Sequence, residues 1–181
     1  MGLAQPHKPV LLFVAVFSRH EAAIDWAKEK LTSQWGPIAL ASPVFEFRET
    51  AFYEASMGAD LRKTLWAFET LSEPAALPAL KHQSNAWEEE YQKLGRHVEL
   101  RPLNLDPGYV TEAKLVLATT KDRDHRLYLA EGIFGEVTLF FRHGAWVSRP
   151  WTYPDYQRPE YHQFLTQCRD YLRQRLRASG G

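Results

Sequence analysis

Two stretches of this chain concentrate residues that could do chemistry. One is Asn104-Leu105-Asp106-Pro107-Gly108-Tyr109, which runs on to Lys121-Asp122-Arg123-Asp124-His125-Arg126. The other is Trp151-Thr152-Tyr153-Pro154-Asp155-Tyr156. Both mix acids, bases, amides and ring hydroxyls with Gly and Pro, where backbone bends around sites. Asp106, His125 and Glu136 are candidates for catalytic proton transfer, or for holding a divalent metal ion. Asn104, Lys114, Lys121, Arg126, Arg149, Tyr153 and Asp155 are candidate ligand-binding residues. Lys114, Lys121, Arg123 and Arg126, folded back by a turn, would make a phosphate-sized cationic pocket. Glu112, Asp122 and Asp124 offset that charge.

Each candidate also has a plain structural reading. Asp before Pro107 is the pattern of a helix cap, with Pro at the first helical position and Asn104 fixing the same turn. The alternative is that Asn104 and Asp106 line a pocket at a helix N-terminus. Two-residue turns at Glu131-Gly132 and His143-Gly144 predict an antiparallel meander over 126–130, 133–142 and 145–149. In that register His125, Glu136, Thr138 and Arg149 share one face, with Arg126 and Tyr128 on the other. Glu136 and Arg149 are then either a diagonal ion pair or part of a site. A one-residue slip in either turn destroys the grouping. The 151–156 loop either covers a ligand, packs the last helix, or anchors a protein partner. Arg169, Arg173, Arg175 and Arg177 read as an RNA-binding patch or as solvated charges favoured by the helix dipole.

The elements that must position these residues form an α+β pattern. Val10–Phe17 is a continuous apolar run, as in a strand covered on both faces. Ser18 and Glu21 have capping-box spacing ahead of a helix with Ile24, Ala27, Leu31 and Trp35 at helical intervals, stopped by Gly36-Pro37. Extended segments follow at 38–48, bent at Pro43, and at 61–69. A second helix, with Leu80, Trp87, Tyr91 and Leu94, ends at Gly95. His97–Leu103 reads as a strand. The order βαββαβ is a ferredoxin-like start, a split βαβ unit. A short helix from Asp106 to about Thr119, the meander and a C-terminal helix from Pro159 complete one domain of 1–181, divided at 103/104, with a mostly antiparallel sheet. The last helix carries Phe164, Leu165, Cys168, Leu172 and Leu176 as its buried stripe.

Composition bounds the function. The chain has 181 residues, 22 basic and 22 acidic, net charge zero. That balance argues against a general nucleic-acid coat or a membrane-surface binder. The eight-residue apolar run 10–17 is too short to cross a bilayer and lacks a small-residue cleavage site after it. A cytoplasmic protein is expected. The single cysteine, Cys168, excludes an internal disulfide and a Cys-cluster metal site. It falls on an apolar stripe and reads as core. There is no phosphate loop of the Gly-x-x-x-x-Gly-Lys-Ser/Thr type, no Gly-x-Gly-x-x-Gly, no His-Glu-x-x-His and no Gly-x-Ser-x-Gly. An analogy with two-histidine phosphoesterases fails, because the two His-x-Ser/Thr pairs that they need are not both present.

The chain resembles a bacterial family known as domain-of-unknown-function family 4416. The resemblance rests on Asn104–Tyr109, Lys114–Asp122, His125-Arg126, Gly135–Leu139 and Trp151–Tyr156, with Met57-Gly58 a weaker element. It implies a compact bacterial protein of about this length and no particular reaction. The residues themselves lead to the expectation of a small-molecule-binding protein or enzyme acting on an anionic ligand, a phosphorylated one among the candidates. The alternatives are a non-catalytic interaction module using the 151–156 loop, or an RNA-associated protein using the C-terminal arginines.

Overall fold

The computed structural model describes residues 2–49 and 53–179. At its centre is β1 (Val10–Ser18), a strand whose nine residues are all buried. Its side chains alternate between the two faces of the sheet. Val14 and Val16 pack with Ala27, Leu31 and Trp35 of α1 (Glu21–Trp35) and with Trp87 and Tyr91 of α3 (Leu77–Lys93). Phe13 and Ala15 pack with Phe164, Leu165 and Cys168 of α4 (Pro159–Ser179) on the opposite face. Three layers result, with two helices on one side of the sheet and one on the other. The all-apolar character of 10–17 follows from this double cover.

β1 lies between β4 (Leu61–Ser72) and β5 (Asn104–Val110), antiparallel to both. β2 (Ile38–Ala41) and β3 (Phe45–Phe47) pair with the outer side of β4. A single helical turn, α2 (Glu54–Met57), precedes β4. The strand order on this side of the sheet is β2-β4-β1-β5. Beyond β5 the sheet continues through β6 (Lys114–Thr119) and β8 (Ile133–Arg142). β7 (Leu127–Ala130) and β9 (Ala145–Ser148) both pair with β8. No helix among the described residues is long and apolar enough to cross a membrane.

Four local expectations are corrected. First, 97–103 is not a strand; the chain bends there and pairing begins at Asn104. Second, 106–119 is not a helix but the β5–β6 hairpin, so Asp106 caps nothing. Pro107 is tolerated in a strand because β6 pairs only from Gly108 onward. Third, Ser18 does not cap α1. His20 is the N-cap residue, and the Ser18 hydroxyl accepts from the His20 N–H at 2.9 Å and donates to the Pro102 carbonyl at 2.5 Å. Fourth, both meander turns form at the expected residues, with positive φ at Glu131, Gly132, His143 and Gly144. However, a register shift between Tyr128 and Ala130 sets Leu127 opposite Gly135 rather than Glu136. That slip changes which side chains reach Glu136.

Gly108 is the position where the hairpin is tightest. A Cβ there would lie 2.3 Å from the Val116 carbonyl oxygen and 3.2 Å from the Leu117 Cα. Backbone cannot yield as a side chain can. Gly108→Ala is therefore expected to destabilise the protein by about 1–3 kcal/mol or more, read by urea denaturation. A loss within about 0.5 kcal/mol would show that the hairpin opens freely.

Candidate functional site

The hairpin, α3, the 119–126 segment and the 151–156 loop enclose a cavity of about 640 Å³. Of the expected site residues, Asn104, Asp106, Lys121, Arg126, Glu136, Tyr153 and Asp155 line it. His125 stands behind Glu136. Lys114 and Arg149 do not belong to it. Lys114 pairs across the sheet from Phe140, and the Arg149 guanidinium lies 4.1 Å from the centre of that ring. The expected Glu136–Arg149 pairing is thus replaced by Glu136–Arg126.

One acid–base group of the cavity is built from β5 and α3. Asp106 takes hydrogen bonds from Lys81 Nζ at 3.1 Å and from Asn104 Nδ2 at 2.9 Å. Lys81 also donates to the Leu105 carbonyl at 3.1 Å. The Asn104 amide oxygen accepts from Arg101, and Arg101 bridges to Glu88 at 3.2 Å. Glu88 closes the ring by accepting the Leu105 N–H at 2.7 Å. The two carboxyls of this ring are driven apart. Burial alone would raise Asp106, but Lys81 and Lys63, with the bonds from Lys81 and Asn104, hold it below its ordinary value. Glu88 is pushed above its ordinary value, chiefly by burial and with a contribution from the Asp106 charge, against the pull of Lys81. Asp106 keeps 32% of its side chain accessible, and Glu88 14%. A ligand in the cavity can reach Asp106.

A second ion pair closes the floor. Lys63 projects from β4 on the buried face shared with Leu61 and Leu65. Its ammonium is 2.6 Å from Asp155 Oδ2, and both side chains are almost fully buried. The rings of Phe17, Phe47 and Tyr156 lie within 5.2 Å of the same nitrogen. This cage stabilises the cation through ring faces as well as through the carboxylate. The hydroxyls of Tyr156 and Tyr161 are buried without a hydrogen-bond partner among the described residues. The phenols of Tyr53 and Tyr153 are both raised, by burial first and then by neighbouring carboxylates. They remain neutral donors at ordinary pH.

The third group fixes the wall. Glu136 is 2% exposed and accepts from Arg126 Nε at 2.9 Å and Thr138 Oγ1 at 3.2 Å, with His125 Nε2 at 3.1 Å. Arg126 then holds the Lys121 carbonyl and the Tyr153 hydroxyl, each at 2.9 Å. His125 stacks on Trp151 at 5.1 Å. Glu136 and His125 therefore act through Arg126: they position the guanidinium that joins the 121–126 segment to the 151–156 loop. Within that loop Thr152, Asp155 and Tyr156 are buried, while Tyr153 and Pro154 are exposed.

Six cationic and six acidic residues line the cavity. Four of each meet in the pairs Lys63–Asp155, Lys81–Asp106, Arg101–Glu88 and Arg126–Glu136. Glu49 and Glu89 meet Arg158 and Lys93, which are not lining residues. Lys121 and Arg123 lie at the solvent-exposed edge of the opening.

Sequence reasoning missed Lys63, Lys81, Glu88, Arg101 and Tyr53. Two of these left a signal. Lys81, Ser84 and Glu88 recur at helical spacing on the face of α3 that also carries Leu77 and Tyr91. Lys63 breaks the period-two apolar pattern of β4. Polar residues at core positions mark either a satisfied ion pair or a site.

No curated protein and no solved structure matches the chain. A family model described as "Domain of unknown function (DUF4416)" matches residues 8–171 of the 181. The segments that build the cavity fall within that match, and the chain belongs to this family.

Proposed function

We propose that the cavity binds a small anionic molecule, phosphorylated or carboxylated, and transfers a proton on it. Asp106 is the proton acceptor and Glu88 the donor. The observation that carries this reading is the divergence of these two carboxyls within one hydrogen-bonded ring, the ionised one being open to the cavity. Acid and base assignments at neutral pH arise from such divergent environments. Lys121 and Arg123 draw in and hold the anionic part of the ligand, while the phenols of Tyr53 and Tyr153 offer neutral donors. Glu136 and His125 keep Arg126 and Tyr153 in place. A divalent ion carried in by the ligand would find Asp106 as its carboxylate partner.

The other two readings have less support. Thr152, Asp155 and Tyr156, half of the 151–156 loop, are buried against the protein, which reduces the surface open to a protein partner. Arg169 and Arg173 are taken up by Glu112, and Arg175 by Tyr171, rather than presented as a row.

Thermal denaturation against a panel of inorganic phosphate, sugar phosphates, nucleotides and di- and tricarboxylates tests the proposal. A ligand at 100 times its Kd is expected to stabilise the protein by about 2.7 kcal/mol. The variant Lys121→Ala with Arg123→Ala is expected to melt within about 0.5 kcal/mol of wild type on its own and to lose most of that ligand response. A response that persists undiminished in the double variant removes these residues from the site. No response to any member of the panel removes the anionic-ligand reading.

A further inference from the structure

Outside the cavity, a second cluster joins the start of α1 to the irregular segment before β5. His20 comes from the first, and His97 and Glu99 from the second. All three are half-buried, and one ligand atom from each lies within 4.8 Å of the others. The two imidazoles stack with ring centres 3.6 Å apart. His20 Nε2 is 2.9 Å from Glu99 Oε2. The Tyr91 hydroxyl holds His97 Nε2 at 2.9 Å, and Arg19 donates to Glu99 Oε1 at 3.1 Å. None of the three lines the cavity.

We infer that His20, His97 and Glu99 form a binding site for a borderline divalent cation, zinc(II) or a first-row neighbour of it. Two imidazoles and a carboxylate are the donor set that such ions select, whereas magnesium and calcium favour oxygen alone. The 2.9 Å between His20 Nε2 and Glu99 Oε2 is the span that two ligands about 2.0–2.2 Å from one ion make near a right angle. Side chains that bind metals are usually oriented by outer contacts, and here Tyr91 and Arg19 supply them. Three protein donors leave a coordination position for water or an added ligand. The ion ties α1 to the segment that carries Arg101 into the cavity and delivers the chain to β5. It therefore restrains the acid–base ring from the side.

The surrounding sequence explains how three separated residues meet. Ser18 pins the end of β1 to the Pro102 carbonyl, which brings the start of α1 against 97–102. The Arg101 N–H donates to the Ser56 carbonyl at 2.9 Å and holds the segment on its other flank. Gly58 makes room for Arg19: a Cβ there would lie 2.7 Å from the guanidinium. Arg19 can then reach Glu99.

Titration of the full chain with cobalt(II), after removal of metal by chelation and dialysis, reads the site through visible d–d absorption. One ion per chain is expected, bound with a micromolar or tighter Kd and displaced by zinc(II). His97→Ala and Glu99→Gln should each weaken uptake by at least about tenfold. His82→Ala, at an exposed histidine elsewhere, should leave it unchanged. Tyr91→Phe is expected to weaken binding without abolishing it, which a purely structural contact would not do. Metal-free melting curves establish that each variant is folded; should His97→Ala fail to fold, His20→Gln takes its place with the same expected loss. Absence of cobalt uptake by the wild type overturns the site. So does uptake that survives both His20→Gln and His97→Ala.

Discussion

Asp106→Asn is expected to cost about 1–3 kcal/mol of stability at pH 7 and to remove the proton transfer assigned to the cavity. The amide keeps the shape of the carboxylate but not its charge. Lys81, only 8% exposed, would then be left with the Leu105 carbonyl and a neutral neighbour. A buried ammonium without a counter-charge is what makes the change costly. The pH dependence has a definite sign. Asp106 sits below its ordinary value in the folded state, so its stabilising contribution is whole above about pH 4 and is lost as pH falls through the lower folded value. The gap between wild type and Asp106→Asn should therefore close on acidification. Denaturant unfolding at a series of pH values measures it. A gap that is constant down to low pH would mean that the carboxylate charge is not what stabilises the ring.

The same variant tests the coupling on which the proposed chemistry depends. Glu88 is raised mainly by burial, and the Asp106 charge adds to that. Its titration midpoint, followed by carboxyl-carbon NMR, should move downward in Asp106→Asn. An unchanged midpoint would separate the two groups and leave Asp106 and Glu88 without a shared role.

Lys63→Ala is expected to be the most damaging single change away from the hairpin, at about 3–5 kcal/mol. For a chain of this size that is a fall in Tm of roughly 6–20 °C. The ammonium sits 2.6 Å from Asp155, with both side chains at 5% exposure or less. Its removal strands the Asp155 carboxylate against Phe17, Phe47 and Tyr156 and empties the centre of that ring cage. The double change Lys63→Met with Asp155→Leu should recover much of the loss, because apolar groups of similar volume fill such sites without a desolvation penalty. If Lys63→Ala costs under about 1 kcal/mol, the pair is not what seats the 151–156 loop, and the cavity floor rests on ring packing alone.

Much of the framework was legible because it depends on local pattern. The apolar run at 10–17 required cover on both faces, and α1 with α3 on one side and α4 on the other provide it. The stripe Phe164, Leu165, Cys168 and Leu172 needed a 3.6-residue period and a core to face. Glu131-Gly132 and His143-Gly144 turn with positive φ at all four residues, and the glycine of each pair adopts it without steric cost. The failures also share a cause. Asp-Pro is a sound helix start in isolation, but at 106–107 the sheet neighbour β1 offers a ladder of long-range pairs that outweighs a local cap. His97–Leu103 has strand-like alternation, yet the segment is held by Ser18, Ser56 and Glu88 rather than by another strand.

The sequence alone determined which segments are polar at bends, and so which of them could meet: the 104–106 corner, the 121–126 segment and the 151–156 strip. It determined the two turns of the meander and the apolar faces of three helices. Only the tertiary structure decided the pairings. A single register shift in β7 brought Arg126 to Glu136, because side chains change faces with each residue and a one-residue slip reverses the parity. Lys63, Lys81 and Glu88 entered the site from core positions of β4 and α3. Their partners lie far away in sequence: 92 residues for Lys63 and Asp155, 25 for Lys81 and Asp106. No local preference encodes such distances. They are set when burial of the sheet's two faces brings the elements together, and the charged groups carried inward must then find one another.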